Sequence, residues 1–149
     1  MRELRSRGLR LALPAGWEGR IKLGATDHDD EEPQPVVHAA TFALPSDTGD
    51  YGGGAVEAMG SGDIFVAVIE FGPESLGTPL FARQGLPRLT TSGFDPLVLQ
   101  RVIPGQSGYQ AFFTAERRPF CLYVVLGSHQ RRLGLVPIAR SVVDEIQIG

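Results

Sequence analysis

Two segments of the chain are apolar at consecutive positions rather than at alternate ones. They are Ile64-Phe65-Val66-Ala67-Val68-Ile69 and Phe120-Cys121-Leu122-Tyr123-Val124-Val125-Leu126. A strand with one wet face alternates apolar and polar residues, whereas a strand buried on both faces does not. Both segments are therefore expected in the interior of a sheet, with material packed above and below each.

Other segments read as strands of lower burial. Trp17, Gly19, Ile21 and Leu23 alternate with Glu18, Arg20 and Lys22, the pattern of a half-exposed strand near an edge. Val36 to Leu44 forms a second strand, with His38, Ala40 and Phe42 on one face. Leu97 to Ile103 and Tyr109 to Glu116 follow, and with Phe120 to Gly127 they are expected to form a meander. The connections Pro104-Gly105-Gln106-Ser107 and Arg117-Arg118 are too short for a parallel crossover. Leu9 to Leu13 is a short apolar stretch behind residues 1–8, which read as a flexible basic arm. Residues 24–35 form an acidic loop, and Ala55 to Met59 fits either one helical turn or an edge strand.

Helical signals are sparse. Thr78-Pro79 offers a cap followed by Pro at the first helical position, so a short helix is expected over Pro79 to Gln84. Leu135, Ile138, Val142 and Ile146 make one apolar stripe of a C-terminal helix, with Pro137 in its first turn. Arg140 before Asp144-Glu145 opposes the macrodipole, so packing on the sheet must stabilise this helix. The expected fold is a single α+β domain spanning 1–149. An antiparallel sheet of roughly five to seven strands carries the C-terminal helix on one face. A short helix or loops lie on the other, with residues 72–95 expected to cover part of that face and a second subunit the rest.

Composition adds mainly exclusions. At 149 residues the chain can bury a core without disulfide or metal, and its one cysteine, Cys121, sits in an apolar run as a small core residue. No apolar leader and no long apolar run is visible, so a cytoplasmic protein with no membrane span is expected. The net charge of −3 is uneven, because residues 27–32 hold five acids and the remainder is net positive by two. That surplus is far from the basic footprint of a nucleic-acid binder.

Candidate chemistry fails on spacing. The run Asp27-His28-Asp29-Asp30-Glu31-Glu32 lacks the glycine that a calcium loop needs at its sixth position, which is Glu32, so no metal site is assigned. Gly52-Gly53-Gly54 and Gly60-Ser61-Gly62 lack the Lys-Ser/Thr of a phosphate loop and read as turns. Ser107, in Gly105-Gln106-Ser107-Gly108, has its last glycine one place early for a nucleophile elbow. Ser128 and His129 are neighbours whose side chains diverge on a strand end. His38 reads as a structural histidine. Neither a catalytic residue nor a cofactor site is assigned. Arg117-Arg118 and Arg131-Arg132 flank the second apolar strand and are the candidate interaction residues, suited to an anion or an acidic partner surface.

A Pro-x-Gly-Trp opening (Pro14-Ala15-Gly16-Trp17), a run of antiparallel strands and a closing helix ending in Val142-Val143-Asp144-Glu145-Ile146 resembles the PsbP-like fold. That group includes extrinsic photosystem subunits, a nuclear-import factor and bacterial lipoproteins. The resemblance implies a central antiparallel sheet sandwiched by helices and a role in binding other proteins. It brings no functional motif, and this chain has material for a thinner second layer.

The resulting expectation is a non-catalytic binding or assembly module acting through protein–protein contact. Its partner is another protein or a second copy of the chain. The alternative is a small-ligand-binding protein or minor enzyme, with a pocket between the sheet and residues 72–95 lined by Tyr109, Phe112 and Tyr123.

Overall fold

The computed structural model describes all of residues 1–149. In chain order the elements are β1 (Arg2–Ser6), β2 (Leu9–Leu13), β3 (Glu18–Leu23), β4 (Pro35–Ala40), β5 (Ile64–Glu70), β6 (Ser107–Ala115), β7 (Arg118–Leu126), α1 (Arg132–Val143) and β8 (Gln147–Ile148). They form two antiparallel sheets, a five-stranded one in the order β3-β4-β5-β7-β6 and a three-stranded one in the order β1-β2-β8. No helix is long and apolar enough to cross a membrane.

The two doubly apolar segments are β5 and β7, paired with each other from Ile64↔Leu126 to Glu70↔Phe120 in the interior of the large sheet. Alternate residues of each serve different cores. Ile64, Val66, Val68, Phe120, Leu122, Val124 and Leu126 join a larger core beneath α1. Phe65, Ala67, Ile69, Cys121, Tyr123 and Val125 join a smaller one on the opposite face. Residues 64–68 and 120–126 are almost fully enclosed within the single chain, so neither face depends on a partner for cover.

The first face is covered by α1, the small sheet and part of the β5–β6 connection. Leu135, Val136, Ala139, Val142 and Val143 of α1 are buried there, as are Leu9, Leu11 and Leu13 of β2. The expected stripe is corrected at Ile138, which is 47 % exposed. The helix presents positions 135, 136, 139, 142 and 143 instead. Its start is earlier than expected, so Pro137 lies inside it. The residue whose carbonyl loses an N–H donor to that proline is Leu133, which is exposed and open to water. Residues 2–6, expected as a flexible arm, are β1, paired with β2 from Arg2↔Leu13 to Ser6↔Leu9.

The second face is covered by irregular chain, mainly residues 42–59. Phe42, Leu44, Tyr51, Val56 and Met59 pack on it, with Phe71, Leu99 and Phe112 beside them. The expectation that residues 72–95 cover part of this face holds only around Phe81. Phe81 does reach this side, against Phe71 and Phe112, but Leu89 and Phe94 join the core on the α1 side. The segment instead wraps the outer edge of β6. Thr114 exchanges backbone hydrogen bonds with Arg83 and Gly85, and Gly108 exchanges a pair with Asp95. Arg140 helps hold the wrap by donating from Nε to the Leu89 carbonyl at 3.0 Å.

One expected element is absent and another is shorter than expected. Residues 97–103 form no strand, so β6 and β7 make a hairpin rather than a meander of three. Leu97 and Val102 point to solvent, while the chain crosses directly above Gly108. A β-carbon placed there would lie 1.8 Å from the Val98 carbonyl oxygen. The helix expected over 79–84 is one 3-10 turn, Pro79–Phe81, and Val56–Ala58 is likewise a single 3-10 turn.

Candidate functional site

The layer over the second face is fastened by a polar chain around His38. His38 is fully buried on β4. Its Nε2 lies 2.8 Å from the Asp50 carbonyl, which can only accept, so Nε2 carries the proton. Nδ1 is then an acceptor, and the Thr48 hydroxyl donates to it at 3.2 Å. The Thr48 oxygen in turn accepts from Arg20 at 2.9 Å. Lys22 donates to the Thr48 carbonyl and Arg20 to that of Pro45. Burial lowers the His38 pKa to about 4, and the nearby Lys22 and Arg20 charges act in the same direction. His38 is thus a neutral structural residue that ties the covering layer to β3 and β4.

The four candidate arginines are not brought together. Arg117 is exposed in the β6–β7 turn, where Glu116 and Arg117 have φ of 51° and 59°. Arg118 is committed internally. Its Nε and Nη2 grip the Glu70 carboxylate at 3.0 and 2.6 Å, and it also donates to the carbonyls of Arg7 and Gly149. It joins the two sheets. Arg131 and Arg132 lie beyond the far end of β7, where Arg132 donates to the His129 carbonyl at 2.9 Å.

Other residues singled out from sequence also resolve. Ser107 is fully enclosed, with no hydrogen-bond partner for its hydroxyl. The His129 backbone N–H reaches the Gly105 carbonyl at 2.7 Å, which brings it to the same corner of the sheet, but no Ser107–His129 hydrogen bond forms. Cys121 is buried, and its thiol is pushed up to about 12 by that burial. Tyr109 packs on Phe94, Phe112 on Phe71 and Phe81, and Tyr123 on Tyr51, so the three aromatics do not share one pocket.

Two concavities flank the strap Gly49–Gly54. The larger, about 570 Å³, opens between the β3–β4 loop and the residues after β5. Asp27, Glu31, Glu32, Asp50, Glu70 and Glu74 line it, and no Lys or Arg does. Some of these carboxylates have protein partners. Asp50 accepts from the Ala25 N–H, Glu31 from that of Asp27, and Glu70 from Arg118. Asp27, Glu32 and Glu74 have no ion-pair partner. No group of three or more His, Cys, Asp or Glu is arranged to hold a metal ion.

The smaller concavity, about 280 Å³, lies over Tyr123 and Val125 of β7, walled by Tyr51, Val56 and Leu99. Gln106 borders it, donating from Nε2 to the Val56 carbonyl at 2.8 Å. The Gln106 Oε1 is buried without a partner. The Tyr123 hydroxyl accepts from the Gln100 N–H at 2.8 Å. Burial raises the pKa of both Tyr51 and Tyr123, so both phenols stay neutral.

Sequence reasoning missed this region. Phe42 and Leu44 read as the end of the second strand, Val56 and Met59 as part of one helical turn or an edge strand, and Tyr51 as part of a loop, so nothing joined them into one covering layer. No protein-family model matches the chain, and no curated protein or solved structure matches it either.

Proposed function

We propose that the protein is a non-catalytic binding module that receives a cationic segment of a partner protein in the acidic cleft. The observation that carries this reading is the lining of that cleft. Three stretches of chain (the β3–β4 loop, Asp50, and Glu70 to Glu74) bring six acidic residues around one concavity with no basic side chain among them. A walled cleft of one sign focuses field and favours a ligand of the other sign, setting specificity and encounter rate more than raw affinity. An Arg- or Lys-rich peptide segment matches the cleft in charge. The resemblance to the PsbP-like group, whose members mostly bind other proteins, points the same way by analogy.

The test is fluorescence anisotropy with a labelled oligo-arginine peptide. Binding is expected to weaken as ionic strength rises toward physiological values, where the Debye length falls to about 8 Å. Reversal of Glu32 and Glu74 together to Lys is expected to weaken it by about tenfold or more, equivalent to ~1.4 kcal/mol. A matched reversal on the far surface, Asp144→Lys with Glu145→Lys, changes net charge equally and should leave most of the affinity. Equal losses in the two double variants would show that net charge alone drives the binding, and the cleft would have no special role.

A further inference from the structure

We propose that β3 is a self-pairing edge, which joins a second copy of this chain strand to strand around a two-fold axis at Gly19. None of residues 17–23 lines the acidic cleft, so this surface is independent of the one that receives a cationic segment.

The backbone gives the first reason. β3 is a terminal strand of the large sheet, paired with β4 alone. The Gly24 N–H reaches the Gln34 carbonyl at 2.8 Å, which fixes the phase of the ladder. In an antiparallel pair, alternate residues exchange hydrogen bonds with the partner strand. Glu18, Arg20 and Lys22 therefore bond to β4, while Gly19, Ile21 and Leu23 turn their N–H and C=O groups outward. Pro35, which has no N–H to give, stands opposite Leu23 as this phase requires. The outward row receives one hydrogen bond from the chain, a 3.4 Å contact from the exposed Arg2 to the Gly19 carbonyl. No residue of β3 is buried. Such a row is a template for another strand.

The side chains give the second reason, and they choose the occupant. Trp17 and Ile21 pack toward the α1 side, and Glu18, Arg20 and Lys22 lie on the opposite face. None of these three charges is in an ion pair. Two antiparallel copies pair about whichever residue sits on the axis. With Gly19 there, Glu18 of each copy faces Arg20 of the other, Trp17 faces Ile21, and Lys22 falls opposite the turn residue Gly16. An axis at Glu18, Arg20 or Lys22 sets that charge against itself, and one at Ile21 sets Arg20 against Lys22 twice. Opposite charges directly across a strand pair stabilise it and like charges destabilise it. The Gly19 axis alone gives unlike pairs with no like ones. Arg20 has capacity for this pairing, since within the chain it donates through Nη2 only, to Pro45 and Thr48. A cationic peptide strand would oppose Arg20 and Lys22, so the edge suits a second copy better. The axis runs perpendicular to the sheet, and both α1 layers then lie on one side of a continuous sheet.

The experiment is sedimentation velocity of the full chain over a concentration series, with amide hydrogen exchange followed by NMR in dilute and concentrated samples. A dimer with a Kd of about 100 µM or tighter is expected. Protection of the Gly19 and Ile21 amides should appear only in the concentrated sample. Glu18→Lys should weaken association about tenfold, whereas Lys22→Gln should leave it within about twofold. The amide spectra of both variants should stay native. A monomer at every concentration overturns the proposal. So does a dimer in which the Gly19 and Ile21 amides stay unprotected, because its interface lies elsewhere. Equal weakening by the two variants refutes the axis at Gly19. Protection brought to the dilute protein by an oligo-arginine peptide, and not by concentration, would give the edge to a foreign strand and overturn the proposal as well.

Discussion

Acidification should detach the layer that His38 fastens, and the size of the effect follows from the geometry. In the folded protein His38 titrates at about 4, whereas its ordinary value is 6.5. A folded pKa below the unfolded one means that the unfolded chain takes up the proton first, so stability falls as pH falls. The contribution is fully present above the unfolded pKa and disappears as pH drops through the folded one. The whole gap corresponds to about 3 kcal/mol, of which about 2 kcal/mol is lost between pH 7.5 and 5. The cause is physical as well as dielectric. A second ring proton would face the Thr48 oxygen, which already accepts from Arg20, and would add charge beside Arg20 and Lys22. Urea unfolding at both pH values, on wild type and on His38→Gln, isolates the residue from the other titrating groups. Wild type should lose about 2 kcal/mol more than the variant over that interval. An equal loss in both proteins would remove His38 as the cause, and an NMR titration placing its ring near 6.5 would refute the reasoning outright.

Two further outcomes are expected. Arg118→Met should destabilise by about 3–5 kcal/mol, because it leaves the Glu70 carboxylate, 8 % exposed, without its partner; adding Glu70→Leu should restore most of that loss in denaturant titrations, and a loss below ~1 kcal/mol for the single variant would show that Arg118 is not a clamp. Gly108→Ala should cost about 1–3 kcal/mol or more by pushing on the crossing chain at Val98, whereas Gly53→Ala, which meets nothing within 4 Å, should lie within ~0.5 kcal/mol of wild type.

The α+β class and the interior position of β5 and β7 were legible in the sequence, because residues such as Val66 and Val124 sit in unbroken apolar runs that only a doubly covered strand explains. The edge position of β3 was legible in the alternation of Ile21 with Arg20 and Lys22. The second layer was not. Phe42, Tyr51 and Val56 reach the sheet from irregular backbone, where side-chain direction follows no period. The sheet residues beneath them mix small ones, Ala40, Ala67 and Cys121, with large ones such as Phe65, Ile69 and Tyr123. Such a mixture does not announce what lies over it. Residues 97–103 carried an apolar run that resembled a strand, but both neighbouring places on β6 were taken, by β7 on one side and by the 83–95 wrap on the other. The acidic cleft needed the fold to bring Glu74 and Asp50 to the loop at 27–32, since those residues are far apart along the chain.

The wrap along β6 has a consequence for how this protein behaves when crowded. With that rim of the large sheet pinned at Gly108 and Thr114, β3 is the more open flank for a foreign strand. Two copies meeting flank to flank there would use up what each has to offer, and a third would find no vacancy. Uncontrolled fibre growth through the large sheet is thereby limited to pairing, a safeguard supplied by a stretch of chain with almost no regular structure of its own.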